Sequence, residues 1–260
     1  MGTVSVGASV AGTPSRLDLI DSAVRLTRPP EIDPTLGGAG CVATLGGLLN
    51  ARRVLVARAT EGGVMAGGTG SVVNMADVLI ADISPEISRG GFGVALSGGS
   101  RASLLRLGVS RTRGAALAAV AQSNVGGSQA GSRITLQDGI IQDVAPSSID
   151  YDLDDPSRVT GQPRAYGAYV GLASEMELQR VVMLGGAVGA AAYGGTLAWT
   201  DGVASRFSQH FVRGTTVGTP LLRLMNVVVP GAGSVAVQGD PSSAASFSPP
   251  NFMSLAPLGP

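Results

Sequence analysis

The densest group of side chains able to do chemistry lies in residues 146–167. It contains four aspartates followed by two arginines: Asp150, Asp152, Asp154, Asp155, Arg158 and Arg164. Carboxylates at alternate positions can bind a hard cation such as calcium through oxygen ligands. They can also supply the carboxylate pair of glycosidic cleavage, or form a polar surface loop with an internal Asp–Arg pair. The EF-hand pattern fails, because Asp155 takes the glycine position.

The other reactive side chains stand alone. Cys41 is the only cysteine, which excludes an internal disulfide and a CxxC-type zinc site, and we expect it to be a small buried residue. His210 is the only histidine, and a single histidine on a strand is more often structural than catalytic. We therefore assign no catalytic residue and no cofactor, calcium at the acidic cluster being the one candidate.

The charge balance limits the possible partners. The chain has 18 basic and 18 acidic residues, which leaves no positive field for nucleic acid. Every basic residue is an arginine, and this usage suggests a GC-rich bacterial genome. The dense basic positions, such as Arg52 and Arg53, are expected on a solvated face.

A recurring unit must position these side chains. Glycine, a short apolar stretch, a turn of small residues and a second apolar stretch recur from Gly40, Gly62 and Gly91. Such periodicity, with a basic unit of roughly 22–25 residues, is typical of a solenoid or an array. Asn50, Asn74 and Ser103 fall at one position of this unit, and we expect the chain to bend there.

The apolar stretches have the character of strands. They are short, alternate locally, contain many Val and Ile residues and end at Gly, Ser, Asn or Asp. Two-residue hairpin turns such as Asp-Gly do not recur between them, which favours parallel stacking over antiparallel meanders. We expect an almost entirely β structure, with Trp199 and Phe207 buried in its strands.

Residues 131–144 (GSRITLQDGIIQDV) and 98–112 resemble the coils of the right-handed parallel β-helix family, the pectin-lyase-like solenoids. The resemblance covers residues 12–229 and implies a single-stranded right-handed parallel β-helix of about seven or eight coils from a bacterium. The family includes polysaccharide lyases, glycosidases, adhesins and phage tailspikes. Its pectate lyases use an acidic calcium cluster with an arginine base, and its polygalacturonases use aspartates with a histidine. Neither set is matched here residue by residue.

We divide the chain into a β-helix domain at 1–229, with a loop insertion at 146–167, and a tail at 230–260 rich in Pro, Ser, Gly and Ala. Residues 181–200 carry no formal charge and are long enough to span a bilayer. Five glycines interrupt them, so we expect two buried strands and a turn rather than a membrane span. The N-terminus lacks the features of a secretory signal.

Two functions remain open. The first is a non-catalytic β-helix of a bacterial surface or secreted protein, acting as a stalk, adhesin or passenger and belonging to a larger surface protein. Its partner would be a polysaccharide or cell-surface glycan, and its place extracellular or at the cell surface. The alternative is a lyase or hydrolase of acidic polysaccharide, with the 146–167 loop beside the groove. Fold alone does not decide between them.

Overall fold

The computed structural model describes residues 6–25, 27, 38–84, 91–123, 129–146, 165–214, 220–230, 237–239 and 246–247. Every regular element in these ranges is a β-strand, which confirms the all-β prediction. Within them there is no helix long and apolar enough to cross a membrane. Residues 181–200 form parts of two strands joined by a tight turn, as predicted.

The strands are numbered in chain order. The first nine are β1 (Val6–Ala11), β2 (Arg16–Arg25), β3 (Ala39–Thr44), β4 (Leu48–Ala57), β5 (Gly62–Gly67), β6 (Val72–Ile83), β7 (Phe92–Ser97), β8 (Arg101–Thr112) and β9 (Ala115–Ala119). The others are β10 (Gln122–Ser123), β11 (Gln129–Ala130), β12 (Arg133–Gln142), β13 (Tyr166–Val170), β14 (Glu175–Tyr193), β15 (Thr196–Gly214), β16 (Leu221–Val228), β17 (Val237–Gly239) and β18 (Ser246–Phe247).

Most strands lie in two rows of parallel neighbours. The first row is β1, β3, β5, β7, β9 and β13, and the second is β2, β4, β6, β8 and β12. β14 belongs to both rows, because its first half pairs with β12 and its second half with β13. β15 continues both rows beside it, followed by β16 and β18 in the second row and β17 in the first. The 16-stranded sheet is thus a nearly closed, solenoid-like structure. Only β10 and β11 form a separate antiparallel pair among the described strands.

The core lies between the two rows. Apolar side chains at the same position of successive second-row strands stack on one another in register and are buried: Leu49, Val73, Ala102, Ile134, Met176, Leu197 and Leu222. This stacking follows from parallel pairing without a shift, which places like positions about 4.8 Å apart. The inside of the structure therefore consists of apolar side chains stacked in columns.

Small residues in the first row let the rows approach closely. A Cβ atom added at Gly63 would lie 2.3 Å from Cγ2 of Ile80 and 2.8 Å from the carbonyl oxygen of Gly93. At Gly40 it would lie 2.3 Å from Cγ1 of Val56. These glycines therefore provide room for the β-branched side chains of the opposite row.

Buried serines close the turns that lead from the first row to the second. The hydroxyl of Ser71 donates to the carbonyl of Gly67 at 2.8 Å and accepts from the Gly46 amide at 3.1 Å. Ser174 likewise accepts from the Ser132 amide at 3.1 Å. Each turn is therefore tied to a neighbouring turn, which keeps the strands of the second row in register.

Every full second-row strand bends at a residue in the left-handed backbone region. We call these residues the first bend ladder: Asp21, Arg53, Asp77, Arg106, Asp138, Arg180, Asp201 and Asn226. The flanking pairs place them opposite one another; Arg52 pairs with Ala76 and Val54 with Val78, for example. Five residues later, a second bend ladder comprises Arg58, Asp82, Arg111, Asp143, Gly185 and Arg206.

The predicted position of the bend was wrong. Asn50, Asn74 and Ser103 do lie opposite one another, as predicted. They lie inside β4, β6 and β8, however, and the chain bends three residues later, at charged residues. Asparagine and serine are used here for their side chains rather than for a turn.

Candidate functional site: a groove along the second row

A shallow groove follows the outer face of the second row, on the N-terminal side of the first bend ladder. It consists of a cavity of about 410 Å³ and a neighbouring one of about 290 Å³, which share Ser103 and Leu105. One wall is the column Asp18, Asn50, Asn74, Ser103, Thr135 and Glu177, and the other is Ile20, Arg52, Ala76, Leu105, Gln137 and Gln179. Six adjacent strands contribute, so the groove is about 24 Å long.

A ladder of amides occupies one end of the groove. The Asn74 side-chain amide donates to Oδ1 of Asn50 at 2.9 Å, and the Asn50 amide donates to Oδ1 of Asp18 at 2.8 Å. Arg16 donates to Oδ2 of Asp18 at 2.8 Å. The hydrogen bonds from Asn50 and then Arg16 hold the pKa of Asp18 below its ordinary value. Asp18 is therefore a carboxylate at neutral pH that orients the amides beside it.

The other end carries a second, separate charge cluster. Nη2 of Arg133 donates to Oε1 of Glu177 at 2.6 Å, and Nη1 of Arg133 lies 3.4 Å from Oε2 of Glu175. The carboxylates that line the described groove, Asp18 and Glu177, lie five strand spacings apart, or about 24 Å. Glycosidic cleavage by a carboxylate pair needs a separation of about 5–9.5 Å, so these two cannot act as that pair.

The first bend ladder borders the groove with alternating charges. The Arg106 guanidinium donates to both carboxylate oxygens of Asp77, at 2.5 and 2.8 Å. Arg180 does the same to Asp138, at 2.6 and 3.1 Å. These hydrogen bonds lower the pKa of Asp77 and of Asp138. Two-point contacts of this kind fix the direction of both side chains.

Arginine is uncommon in the left-handed region, whereas aspartate tolerates it. The alternation gives each bent arginine of the first ladder an aspartate on a neighbouring strand, as in the pair of Arg53 with Asp21. Because these pairs are exposed, each adds little to stability. Their main effect is to order the charged side chains along the edge of the groove.

The predicted calcium candidates, Asp150, Asp152, Asp154 and Asp155, lie outside the described residues. Among the residues that are described, no three His, Cys, Asp or Glu side chains come close enough to hold a metal ion. The acidic cluster stays a prediction.

The two single reactive residues are far from the groove walls. Cys41 is 1% exposed in β3, and burial raises the pKa of its thiol to about 12, so the prediction of a small buried residue is confirmed. His210 lies in β15 between Phe207 and Phe211, with ring centroids 6.4 Å away from each. Burial lowers the pKa of His210, as is expected of an imidazole packed between aromatic rings.

Glu61 is a titratable group that the sequence did not single out. Partial burial raises the pKa of its carboxyl group. It lies in the turn between β4 and β5 and lines neither cavity of the groove. A single glutamate before a pair of glycines matches no motif, so its shifted pKa could not be predicted from the sequence.

The aromatic residues serve packing. Trp199 and Phe211 are fully buried and meet edge to face at 6.0 Å, and Phe207 is almost fully buried, which confirms the predicted burial. Tyr169 is 2% exposed and stacks on Tyr193 at 5.5 Å. None of these rings lines the groove, so its walls offer hydrogen bonds, charges and the aliphatic side chains of Ile20, Ala76 and Leu105 rather than stacking.

Comparisons with known protein families, with curated proteins and with solved structures give no match. What the site can do is therefore argued from its residues. It presents amide, hydroxyl, carboxylate and guanidinium groups at intervals of about 4.8 Å along a straight path. Such a surface suits an extended polar chain better than a compact ligand.

Proposed function

We propose that the chain is a single-stranded right-handed parallel β-helix of the pectin-lyase-like, bacterial kind. The two rows of parallel strands support this, since each turn of such a helix adds one strand to each row. Connections between parallel strands of one sheet are right-handed in about 98% of cases, which supports the hand. Eight in-register strands of the second row support about eight coils.

On this framework, the protein is a non-catalytic scaffold that binds a glycan along its groove. The observation that carries the proposal is the groove itself, with hydrogen-bonding side chains in register over six strands. Sugar hydroxyls need both donors and acceptors, and Asn74, Thr135 and Gln137 supply both. A polymer laid along the groove meets at least one polar side chain at each strand.

The charged groups of the groove support binding rather than bond cleavage. A general acid needs a raised pKa, whereas Asp18 is held ionised by its hydrogen bonds. Glu177 shares the guanidinium of Arg133 with Glu175, so both carboxylates are held in one ion-paired cluster at this end of the groove. The alternative activity on acidic polysaccharide depends on the 146–167 loop, whose aspartates lie outside the described residues.

A glycan-binding scaffold of this shape belongs at the cell surface or in the extracellular space. We propose that it serves there as a stalk, adhesin or passenger within a larger surface protein. The stacked core supports this role, since a stiff rod carries its groove away from the point of attachment.

The test is binding of neutral and uronic oligosaccharides, measured by calorimetry with the wild type and two variants. Asn74→Leu removes an amide from the groove, and Gln142→Leu removes one from the far side of the first bend ladder. We expect Asn74→Leu to weaken binding by about tenfold, the effect of one or two lost hydrogen bonds, and Gln142→Leu to leave it unchanged.

A wild type that binds no member of the panel, or equal loss in both variants, would contradict the proposal. In a parallel assay the protein is incubated with uronic polymers with and without calcium. Cleavage that needs calcium and is lost in Asp152→Asn would replace the scaffold by the lyase.

A further inference from the structure

The two bend ladders enclose a second surface that the groove does not use. Between them, one outward position of each second-row strand forms a column in register, which we call the apolar stripe: Ala23, Leu55, Leu79, Gly108, Ile140, Val182, Val203 and Val228. Ile140 is 54% exposed and Leu79 46%. A continuous aliphatic column between two charged ladders is the kind of surface that marks a protein–protein interface.

We infer that the apolar stripe is covered by a second copy of this chain, packed face to face with the two axes antiparallel. The two-fold axis of this dimer passes between β8 and β12. In this register, the first strand of one copy lies opposite the eighth strand of the other.

The shape of the stripe fits this register. The two-fold axis places Gly108 of each copy opposite Ile140 of the other, so the most exposed side chain of the stripe faces its one residue without a side chain. Leu79 then faces Val182, and Leu55 faces Val203. Each pair combines a larger with a smaller side chain, as close packing between two sheets requires.

The charges of the first bend ladder fit the same register. Across the two-fold axis Arg106 faces Asp138, Asp77 faces Arg180, and Arg53 faces Asp201, so three pairs of opposite charge occur twice. A shift by one strand in either direction would place at least three pairs of like charges opposite each other, and such contacts are strongly unfavourable at an interface. The alternation therefore selects the register.

The second bend ladder contributes less. Its central pair, Arg111 with Asp143, is again of opposite charge, and Asp82 faces Gly185. Arg58 faces Arg206 at the ends, where both side chains are exposed and can turn towards solvent. The attraction is therefore concentrated on the first ladder and at the centre of the second.

The stripe alone supplies about two thirds of the area of a standard interface. Eight strands span roughly 34 Å and the two ladders lie five residue steps, roughly 16 Å, apart, which gives about 540 Å² per copy. The arginine side chains on both flanks extend this towards the roughly 800 Å² that each partner buries in a standard interface. The groove lies beyond the first ladder and stays open in both copies.

Sedimentation velocity over a concentration series tests the inference with a pair of matched variants. Ile140→Arg places a charge in the middle of the stripe, and Ile20→Arg places one at a residue that is equally exposed, at 58%, but lies in the groove. We expect the wild type and Ile20→Arg to be dimers of the 25.9 kDa chain. Ile140→Arg should weaken the dimer at least about 30-fold.

A wild type that stays monomeric at its highest soluble concentration would overturn the inference, and so would an Ile140→Arg variant that dimerises like the wild type. Higher oligomers in place of dimers would overturn it as well. None of these results depends on glycan binding, so the dimer and the glycan-binding function are tested independently.

Disulfide trapping tests the register without weakening the stripe. Leu79→Cys and Val182→Cys in one chain lie three strands apart, about 14 Å, which is too far for a bond within the chain. In the antiparallel dimer each faces the other residue of the partner, so mild oxidation should give a covalent dimer. Leu79→Cys with Val228→Cys, two strands out of register, is the control. Equal trapping of both variants, or of neither, would refute the register.

Discussion

The close approach of the two rows at Gly63 gives a sharp test of the packing. In Gly63→Ala the new Cβ atom meets Cγ2 of Ile80 at 2.3 Å and the Gly93 carbonyl oxygen at 2.8 Å. Neither neighbour can move easily, because Ile80 is fully buried and Gly93 lies in a hydrogen-bonded strand. Overpacking of this kind costs about 1–3 kcal/mol.

Gly67→Ala is the matched control in the same strand. Its new Cβ atom meets only the Ser97 hydroxyl, at 3.3 Å, a contact that a movement of a few tenths of an ångström relieves. Both variants lose the same backbone freedom in the unfolded chain, so their difference reports the strain alone. We expect Gly67→Ala to stay within about 0.5 kcal/mol of the wild type.

Urea unfolding followed by circular dichroism measures the free energies, and Ile80→Ala completes a double-mutant cycle. Ile80→Ala alone should cost about 2–5 kcal/mol. In that background Gly63→Ala should cost less than in the wild type, by about 0.5–3 kcal/mol, because the clashing Cγ2 atom is gone. The reasoning is refuted if Gly63→Ala is as mild as Gly67→Ala, or costs the same with and without Ile80.

Three further predictions concern charge, the thiol and the aromatic core. The folded-state pKa values of Asp77 and Asp138 lie below the ordinary 3.8, so their contribution is present above that value and is lost as the pH falls through the lower folded values. Because the pairs are exposed, urea midpoints should decrease by a small amount below pH 4, and unchanged midpoints would exclude a role of the ladder in stability. Cys41, with a thiol pKa of about 12, should react with a thiol reagent only after unfolding, and rapid reaction of the native protein would contradict its burial. Trp199→Ala should lower the free energy of unfolding by about 3–5 kcal/mol, since the ring is fully buried, and a loss below about 1 kcal/mol would show that the site collapses around the cavity.

The strand content followed from local signals. Short apolar stretches rich in Val and bounded by Gly and Ser predicted strands, and burial of Trp199 and Phe207 followed from their places in those stretches. Part of the register followed too, since Asn50, Asn74 and Ser103, predicted at one position of the unit, are partners. The boundary between the two rows could not be predicted in β14 and β15, because these strands run through both rows without a turn to mark it.

The bends and the groove could not be predicted from the sequence, for two different reasons. Turn preferences point to Gly, Asn and Asp, so Arg53 and Arg106 gave no sign of a left-handed backbone. A signal was present, however, because a charged residue of alternating sign directly precedes Val54, Val78 and Leu107. The groove walls join residues far apart in the chain, each an ordinary surface residue by itself, and only the parallel register brings them together.

The alternating first bend ladder restricts how this protein can change its length. Removing a single strand layer, such as residues 62–91, would bring Arg53 next to Arg106. Two arginines would then be neighbours in the ladder, and Asp21 with Arg53 would be the last pair of opposite charge before the deletion. Removing two successive layers would keep the sequence of signs. Shorter and longer forms of this protein should therefore differ by an even number of layers, in steps of about 9.6 Å. A designer who changes the length of this protein should therefore add or remove two layers at a time.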